Sequence, residues 1–106
     1  MDPILGFFQE NLREVYRVPS NRRVRIENLN VVNTDVIAHY FYIYMTGPSI
    51  YPQMVPILKP GISLGSGESF RDTDGYCLGP DNAILLRSDA VVGNTLSFAI
   101  FGSDIK

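Results

Sequence analysis

The sequence is poor in the residues with which many small proteins build covalent or metal-based staples. Its 106 residues include one cysteine, one histidine and no tryptophan. A single cysteine cannot form a disulfide within the chain, and it excludes a metal cluster built on cysteine ligands. A chain of this length that is 45% hydrophobic can bury one core without such staples. We therefore expect residues 1–106 to form a single domain.

Long apolar runs and an excess of positive charge are also missing. The sequence has no run of about 18 apolar residues, the length that indicates a membrane-spanning helix. Its formal net charge is −2 and its isoelectric point is about 5.2, so the overall charge does not indicate nucleic-acid binding. The opening residues MDPILGFFQE are acidic, with an interrupted apolar run, unlike a signal peptide. We expect neither nucleic acid nor membrane as a partner.

Short strand signals are present along almost the whole chain. Eight segments combine β-prone residues with flanking turn residues: 12–18, 24–31, 38–45, 53–58, 69–71, 76–78, 83–87 and 95–101. Their spacing predicts an all-β fold, a single β-sandwich or jelly roll of about eight short antiparallel strands. The apolar alternation shifts by one residue near Glu27 and Asn28, which predicts a β-bulge there.

Residues 1–11 differ from the rest, because they read as a short N-terminal helix or an extended arm. Asp2 followed by Pro3 is typical of a helix start. Apolar residues then recur at helical spacing: Ile4, Phe7, Phe8 and Leu12. Gly6 weakens the helical interpretation. Phe7 and Phe8 need burial, and either a neighbouring subunit or the protein's own core can provide it.

The segment AHYFYIYM at 38–45 has two different faces. In a strand, alternate side chains share a face, so Tyr40, Tyr42 and Tyr44 lie together opposite the apolar row that contains Phe41 and Ile43. We predict that the apolar row packs in the core and that the tyrosines point outward. Tyrosine is common at binding hot spots, but cross-strand aromatic packing can also stabilise an exposed sheet. Both interpretations remain open here.

Basic residues are concentrated near the start of the chain. Five of the nine lie within thirteen positions, and all are arginine: Arg13, Arg17, Arg22, Arg23 and Arg25. They form either a solvated edge and turn or a docking surface for an acidic partner, since arginine is favoured at interfaces.

Catalytic motifs are weak. GISLG at 61–65 matches the G-x-S-x-G pattern of a nucleophile elbow, but proline and glycine flank it, and the single histidine, His39, precedes Ser63 rather than following it. We expect His39 to be a hydrogen-bonded core or edge residue. No carboxylate pair stands with a histidine for acid–base chemistry. We therefore predict a protein that is not an enzyme and has no cofactor.

Two further residue groups favour structural roles. Asp72 and Asp74 in RDTDG are a fragment of a calcium loop, but the twelfth position of such a loop would be Ala83, which cannot supply the acidic ligand. An aspartate-stabilised turn explains their spacing, and we predict no metal site. Cys77, between Tyr76 and Leu78, is expected to be a small buried hydrophobe.

The order of several short motifs resembles a known group of proteins. The motifs are YRVP at 16–19, VVNT at 31–34, GES at 67–69, LGPDNAI at 78–84 and FGSDI at 101–105. Together they are similar to small virion proteins of tailed bacteriophages, of the β-sandwich or jelly-roll kind. Members of that group serve as capsid cement (decoration) proteins or as tail-associated components.

The resemblance implies a capsid cement protein on the virion surface, made in the cytoplasm of the bacterial host. Such a protein needs contacts with itself, as a homo-dimer or homo-trimer, and with the major capsid protein or another virion protein. The hypothesis assigns Phe7, Phe8, Tyr40, Tyr42 and Tyr44 to contacts between subunits. It assigns Arg22, Arg23 and Arg25 to an acidic capsid surface.

Two alternatives remain. One is a tail, neck or fibre-associated structural component built from the same sandwich. The other is a small carbohydrate-binding module that uses exposed tyrosines as stacking platforms, which requires tyrosines beside carboxylates in a groove.

Overall fold

The computed structural model describes residues 1–46, 55–56, 61–89, 91 and 93–105. Within these ranges no residue is helical, and ten strands are formed. They are β1 (Ile4–Phe7), β2 (Arg13–Arg17), β3 (Val24–Asn33), β4 (His39–Thr46), β5 (Val55–Pro56), β6 (Ile62–Leu64), β7 (Ser69–Asp72), β8 (Tyr76–Leu78), β9 (Ala83–Ser88) and β10 (Leu96–Asp104). The predicted all-β class is confirmed. Strands β1 and β6 are additional to the predicted segments, and the segment 53–58 lies only partly within the described residues.

The strands form two antiparallel sheets. The first has the order β1-β10-β3, with β7 and β8 both pairing with the far edge of β3, and the second has the order β2-β9-β4, with β5 and β6 both pairing with β4. If β5 with β6 and β7 with β8 are each counted as one interrupted strand, eight strands remain. In this count the chain crosses between the sheets at every connection except the one between β4 and β5, as in a jelly roll.

Strand β3 shows why the predicted phase shift occurs. Val24 and Ile26 face the core, and after the shift Leu29 and Val31 do so too. In the pairing with β10, Asn28 lies opposite Phe101 and Ile26 lies opposite Gly102. Glu27 therefore has no partner of its own, and the predicted bulge is confirmed.

Aromatic side chains from three strands and one loop meet in the core. The ring of Phe8 lies 5.5 Å from those of Phe41 and Phe98, and the ring of Phe41 lies 5.5 Å from that of Phe70. Tilted and edge-on contacts of this kind are favourable for aromatic pairs. They join the two sheets, because Phe41 belongs to β4 whereas Phe70 and Phe98 belong to β7 and β10.

Of the two alternatives predicted for residues 1–11, the short helix is wrong, and the segment is extended. Residues 4–7 instead form β1, which pairs with the edge of β10. Gly6 faces the core, where a Cβ atom would lie 2.9 Å from the ring of Phe98, so the missing side chain allows a close approach of strand and ring. The alternation continues past the strand, so that Phe7 points outward and Phe8 inward, and the Phe8 amide donates to the Leu96 carbonyl oxygen at 2.8 Å. Sheet pairing thus overrides the helical spacing.

A second correction concerns Cys77, which is exposed. Leu78 is the buried residue of β8, and strand alternation then places Cys77 on the outer face. None of the described residues belongs to a helix that is long and apolar enough to cross a membrane.

Candidate interaction surfaces

The tyrosine row lies on the outer face of the second sheet. Phe41, Ile43 and Met45 are buried, which confirms the predicted core face. Tyr40 is 46% exposed, and Tyr42 and Tyr44 are half-buried. We call Tyr40, Tyr42 and Tyr44 the tyrosine row; none of its members belongs to the hydrophobic core.

The rings of the tyrosine row pack against one another and against one arginine. Those of Tyr42 and Tyr44 are parallel with centroids 6.2 Å apart, and that of Tyr40 meets Tyr42 edge-on at 6.3 Å. Arg87, opposite Tyr42 on β9, places its guanidinium carbon 4.2 Å from the Tyr42 ring centroid. A cation at this distance is attracted by the ring's quadrupole. The row is thus an ordered aromatic surface.

The cross-strand neighbours decide what chemistry this surface offers. Ser63 lies opposite Tyr40, and Tyr44 lies between Leu85 on β9 and Pro56 on β5. Together with Arg87, these described neighbours comprise a hydroxyl-bearing residue, two apolar residues and a cation, and no carboxylate. The surface therefore lacks the pairing of tyrosines with carboxylates that is expected in the groove of a carbohydrate-binding module. Its side chains are of the kinds that make contacts between proteins.

The five clustered arginines do not form one surface. Arg17 is held by Glu14, whose Oε1 accepts from Nη2 at 2.6 Å, and by the carbonyl oxygen of Asp81 at 2.8 Å. Arg13 donates to the Phe7 carbonyl oxygen at 2.7 Å. Arg13 therefore connects β2 to β1 of the first sheet, and Arg17 connects β2 to the turn between β8 and β9.

The remaining three arginines lie toward one end of the sandwich. Arg22 and Arg23 are exposed in the turn between β2 and β3, and Arg22 lies 3.8 Å from a carboxylate oxygen of Asp104. Arg25 lies on the outer face of the first sheet, with its guanidinium over Gly75. We call Arg22 and Arg23 the arginine turn.

The two neighbouring phenylalanines have separate environments. Phe8 is 3% exposed and lies in the protein's own core, rather than on a neighbouring subunit. Phe7 is 43% exposed on the outer face of β1. Leu5, Val32 and Phe101 are also exposed on that face of the first sheet. Of the two, only Phe7 is therefore accessible to a partner.

A cluster that the sequence did not predict surrounds His39. Its side chain is 1% exposed, and its Nε2 lies 2.7 Å from Asp35 Oδ2 while its Nδ1 lies 3.0 Å from Asp89 Oδ1. Both nitrogens donate only when the ring is protonated. The geometry therefore favours an imidazolium held between two carboxylates, which joins the β3–β4 loop to the end of β9.

The pKa values of two groups respond to this arrangement. The hydrogen bond with Asp35 raises the pKa of His39 and outweighs the opposing effect of burial, and Asp89 adds to the rise. The same hydrogen bond, followed by one from the Val36 amide, lowers the pKa of Asp35. The only histidine is thus a structural clamp, in agreement with the expectation of a hydrogen-bonded core residue.

The weak enzyme and metal motifs have structural explanations. Ser63 is exposed on β6 and faces the tyrosine row, whereas His39 faces inward. Asp72 Oδ1 accepts from the Asp74 amide at 2.8 Å, and its other oxygen accepts from the Tyr76 hydroxyl. The aspartate-stabilised turn is confirmed, and within the described ranges no group of three or more His, Cys, Asp or Glu side chains is arranged so that it could hold a metal ion.

Comparisons with known proteins identify no family. No family model matches the chain, and a search of curated proteins finds no significant match.

Proposed function

We propose that this chain is a non-enzymatic structural protein of a tailed-bacteriophage virion, a capsid cement protein on the head surface. In this role it associates with itself and contacts the major capsid protein, and it thereby stabilises the head. The motif order described above supports the phage assignment. The outward tyrosine row is the observation that carries the proposed contact role.

A cement protein bridges neighbouring molecules, so it needs contact surfaces that are separate from one another and from its core. The tyrosine row lies on the outer face of the second sheet, and the arginine turn lies at one end of the sandwich. Phe7 and Leu5 add apolar area on the first sheet. Aromatic residues and arginine are enriched at protein interfaces, so these surfaces suit such contacts.

The copy number in the particle tests the proposal. Quantitative mass spectrometry of virions produced from the genome that encodes this chain should find it in numbers comparable to the major capsid protein. A few copies per virion would instead favour the tail or neck alternative. Absence from the purified virions would overturn a virion role altogether.

A glycan-binding assay of the isolated protein addresses the carbohydrate-binding alternative. The described residues that pair with the tyrosine row include no carboxylate, so we expect no binding that depends on Tyr42. Saturable glycan binding that the variant Tyr42→Ala abolishes would overturn the cement proposal in favour of that module.

A further inference from the structure

Strand β1 is the outermost strand of the first sheet, and one of its two edges is open. The other edge pairs with β10, whereas no strand among the described residues pairs with the open one. The open edge of a strand presents unpaired N–H and C=O groups, to which another extended chain can bind. The chemistry of this edge is therefore that of a strand-pairing site.

The neighbouring edge, which belongs to β2 of the second sheet, is protected against such pairing. The sequence of β2, REVYR, contains three charged residues, and a bulge between Glu14 and Tyr16 interrupts its register with β9. Charged side chains and bulges are common means of preventing strands from pairing at an edge. Strand β1, with the sequence ILGF, has no charged residue and keeps a regular register with β10. Of these two edges, β1 is the one that is available for pairing.

The pairing with β10 fixes which backbone groups of β1 point to the open edge. The Phe8 amide donates to the Leu96 carbonyl oxygen at 2.8 Å, and hydrogen-bonded residues alternate along an antiparallel strand. Gly6 and Phe8 therefore bond to β10, whereas the N–H and C=O groups of Leu5 and Phe7 point outward.

Two positions on this edge offer one group instead of two. Arg13 of β2 donates to the Phe7 carbonyl oxygen at 2.7 Å, so this carbonyl points outward and is already engaged. Pro3, which directly precedes β1, has no N–H. The groups that remain for a partner strand are the Pro3 carbonyl, both groups of Leu5 and the Phe7 N–H.

We propose that the partner of this edge is β1 of a second copy, in an antiparallel pairing whose two-fold axis passes between the two Leu5 residues. The two Leu5 residues then exchange N–H···O bonds. Phe7 of each copy lies opposite Pro3 of the other, and its N–H donates to the Pro3 carbonyl oxygen. Each remaining group of the edge has a partner, and the two first sheets become one continuous sheet. The inference rests on the self-association in the proposed function and specifies its geometry.

A second copy fits this register in the two places where the edge lacks a group. Opposite each Phe7, Pro3 of the other copy has no N–H to donate. The acceptor that such an N–H would need is the Phe7 carbonyl oxygen, and Arg13 already donates to it. A strand with an N–H at this position would have to share that oxygen with Arg13. The donors and acceptors of this edge are thus complementary to those of a second β1.

The side chains also match in this register. On the outer face, Leu5 and Phe7, which are 69% and 43% exposed, meet Leu5 and Pro3 of the second copy. On the inner face, Ile4 lies opposite Gly6, so each larger side chain meets a residue that has none. The pairing therefore removes apolar area from water without crowding the two backbones.

The charges at the two ends of the pairing are complementary. Asp2 is exposed, and this register places it opposite position 8 of the second copy, next to the carbonyl group to which Arg13 donates. Other charged residues along this side are paired within the chain: Glu14 with Arg17, and Arg22 with Asp104. Because β1 itself is uncharged, the two-fold axis brings no like charges together. Opposite charges at both ends favour this orientation.

The variant Leu5→Pro tests the backbone pairing. Proline removes the N–H that points to the open edge, whereas the bonds of Gly6 and Phe8 with β10 remain, and edge strands tolerate proline at such positions. The matched control is Leu5→Ala, which shortens the same side chain but keeps the N–H. Circular dichroism and thermal unfolding of both variants check the fold.

Sedimentation velocity over a range of concentrations gives the masses. The wild type should form a dimer with twice the chain mass of 11.9 kDa. Leu5→Pro should weaken dimerisation by at least about tenfold more than Leu5→Ala does, because hydrogen bonds on both sides of the two-fold axis are lost.

Amide hydrogen exchange, followed by NMR, distinguishes strand pairing from contact through side chains alone. The amides of Leu5 and Phe7 should exchange rapidly in the dilute monomer and become protected in the dimer. The Gly6 amide is the internal control, because it bonds to β10 and should be protected in both states.

The outcomes separate this inference from the proposed function. If the wild type dimerises and Leu5→Pro dimerises as well as Leu5→Ala, or if the Leu5 and Phe7 amides stay unprotected in the dimer, the β1 pairing is overturned while self-association stands. A trimer as the smallest assembly would also overturn it, because a two-fold contact closes with two copies. If the wild type is monomeric at every concentration, both the pairing and the self-association fail. Presence in the virion is tested independently by copy number.

Discussion

The two faces of strand β4 show how one short segment separates folding from contact. Phe41 and Ile43 on the inner face are 0% and 3% exposed, whereas Tyr40 on the outer face is 46% exposed. The inner side chains bury their area against the first sheet. The outer rings lie on each other and on Arg87, and they lose further area only when a partner covers them. Folding stability should therefore depend mainly on the inner face.

The largest effect should come from the centre of the inner face. Phe41→Ala should lower the free energy of unfolding by roughly 3–5 kcal/mol, the usual cost of truncating a buried phenylalanine. The reason is that the Phe41 ring fills the space between Phe8 and Phe70, each 5.5 Å away. Urea denaturation measures the change.

Tyr40→Ala is the matched control for Phe41→Ala, because it removes an aromatic ring from the neighbouring position on the outer face. It should cost about 1 kcal/mol or less. Equal losses for the two variants would show that the outer face also stabilises the fold, and the division between the faces would then be wrong.

His39 is the exception on the inner face, because it is a buried polar residue. His39→Gln should lower the free energy of unfolding by roughly 2 kcal/mol at pH 6, since hydrogen bonds to charged groups contribute about 1.5–3 kcal/mol. A neutral glutamine amide cannot replace an imidazolium that donates to both Asp35 and Asp89. If the variant unfolded at the same urea concentration as the wild type, the hydrogen bonds of His39 would not stabilise the fold.

The pH dependence should be a smaller effect with a defined sign. The pKa of His39 is raised above its ordinary value of 6.5, so its contribution is complete below pH 6.5 and is lost as the pH rises through the pKa of the folded state. The pKa of Asp35 is lowered from 3.8, so its contribution is complete above that pH and is lost as the pH falls through the lowered value.

The stability difference between the wild type and His39→Gln should therefore be largest between about pH 4 and 6.5, with Asp35 and Asp89 as the carboxylates that face the ring. Thermal unfolding of both proteins across the pH range measures it. A difference that grows above pH 7 would show that the imidazole is neutral in the folded protein.

The local sequence pattern was sufficient to predict the two faces of β4 and the bulge at Glu27, because side chains in a strand alternate with a period of two residues. It was not sufficient for β1. There Ile4, Phe7 and Phe8 fit helical spacing, and the deciding factor is the distant edge of β10, which accepts a paired strand. Tertiary pairing is not visible in a window of eleven residues.

The His39 clamp was beyond prediction for the same reason. His39 and Asp89 are separated by 50 positions, and only the meeting of β4 with β9 brings them together. Asp35, four positions before His39, was the one available signal, although this spacing alone is common. The exposure of Val36 and Ile37 was missed because two aliphatic residues after a turn also suit the start of a buried strand.

The smallest effect should come from the outer face, where Arg87 lies over Tyr42. A double-mutant cycle with Tyr42→Leu and Arg87→Gln should give a coupling free energy of about 0.5–1 kcal/mol, the range for an exposed cation–π pair. The distance of 4.2 Å between the guanidinium carbon and the ring centroid supports a direct interaction. Urea denaturation of the wild type, both single variants and the double variant measures it. A coupling near zero would mean that Arg87 does not order the tyrosine row, and contact with a partner would then be the main role left for these rings.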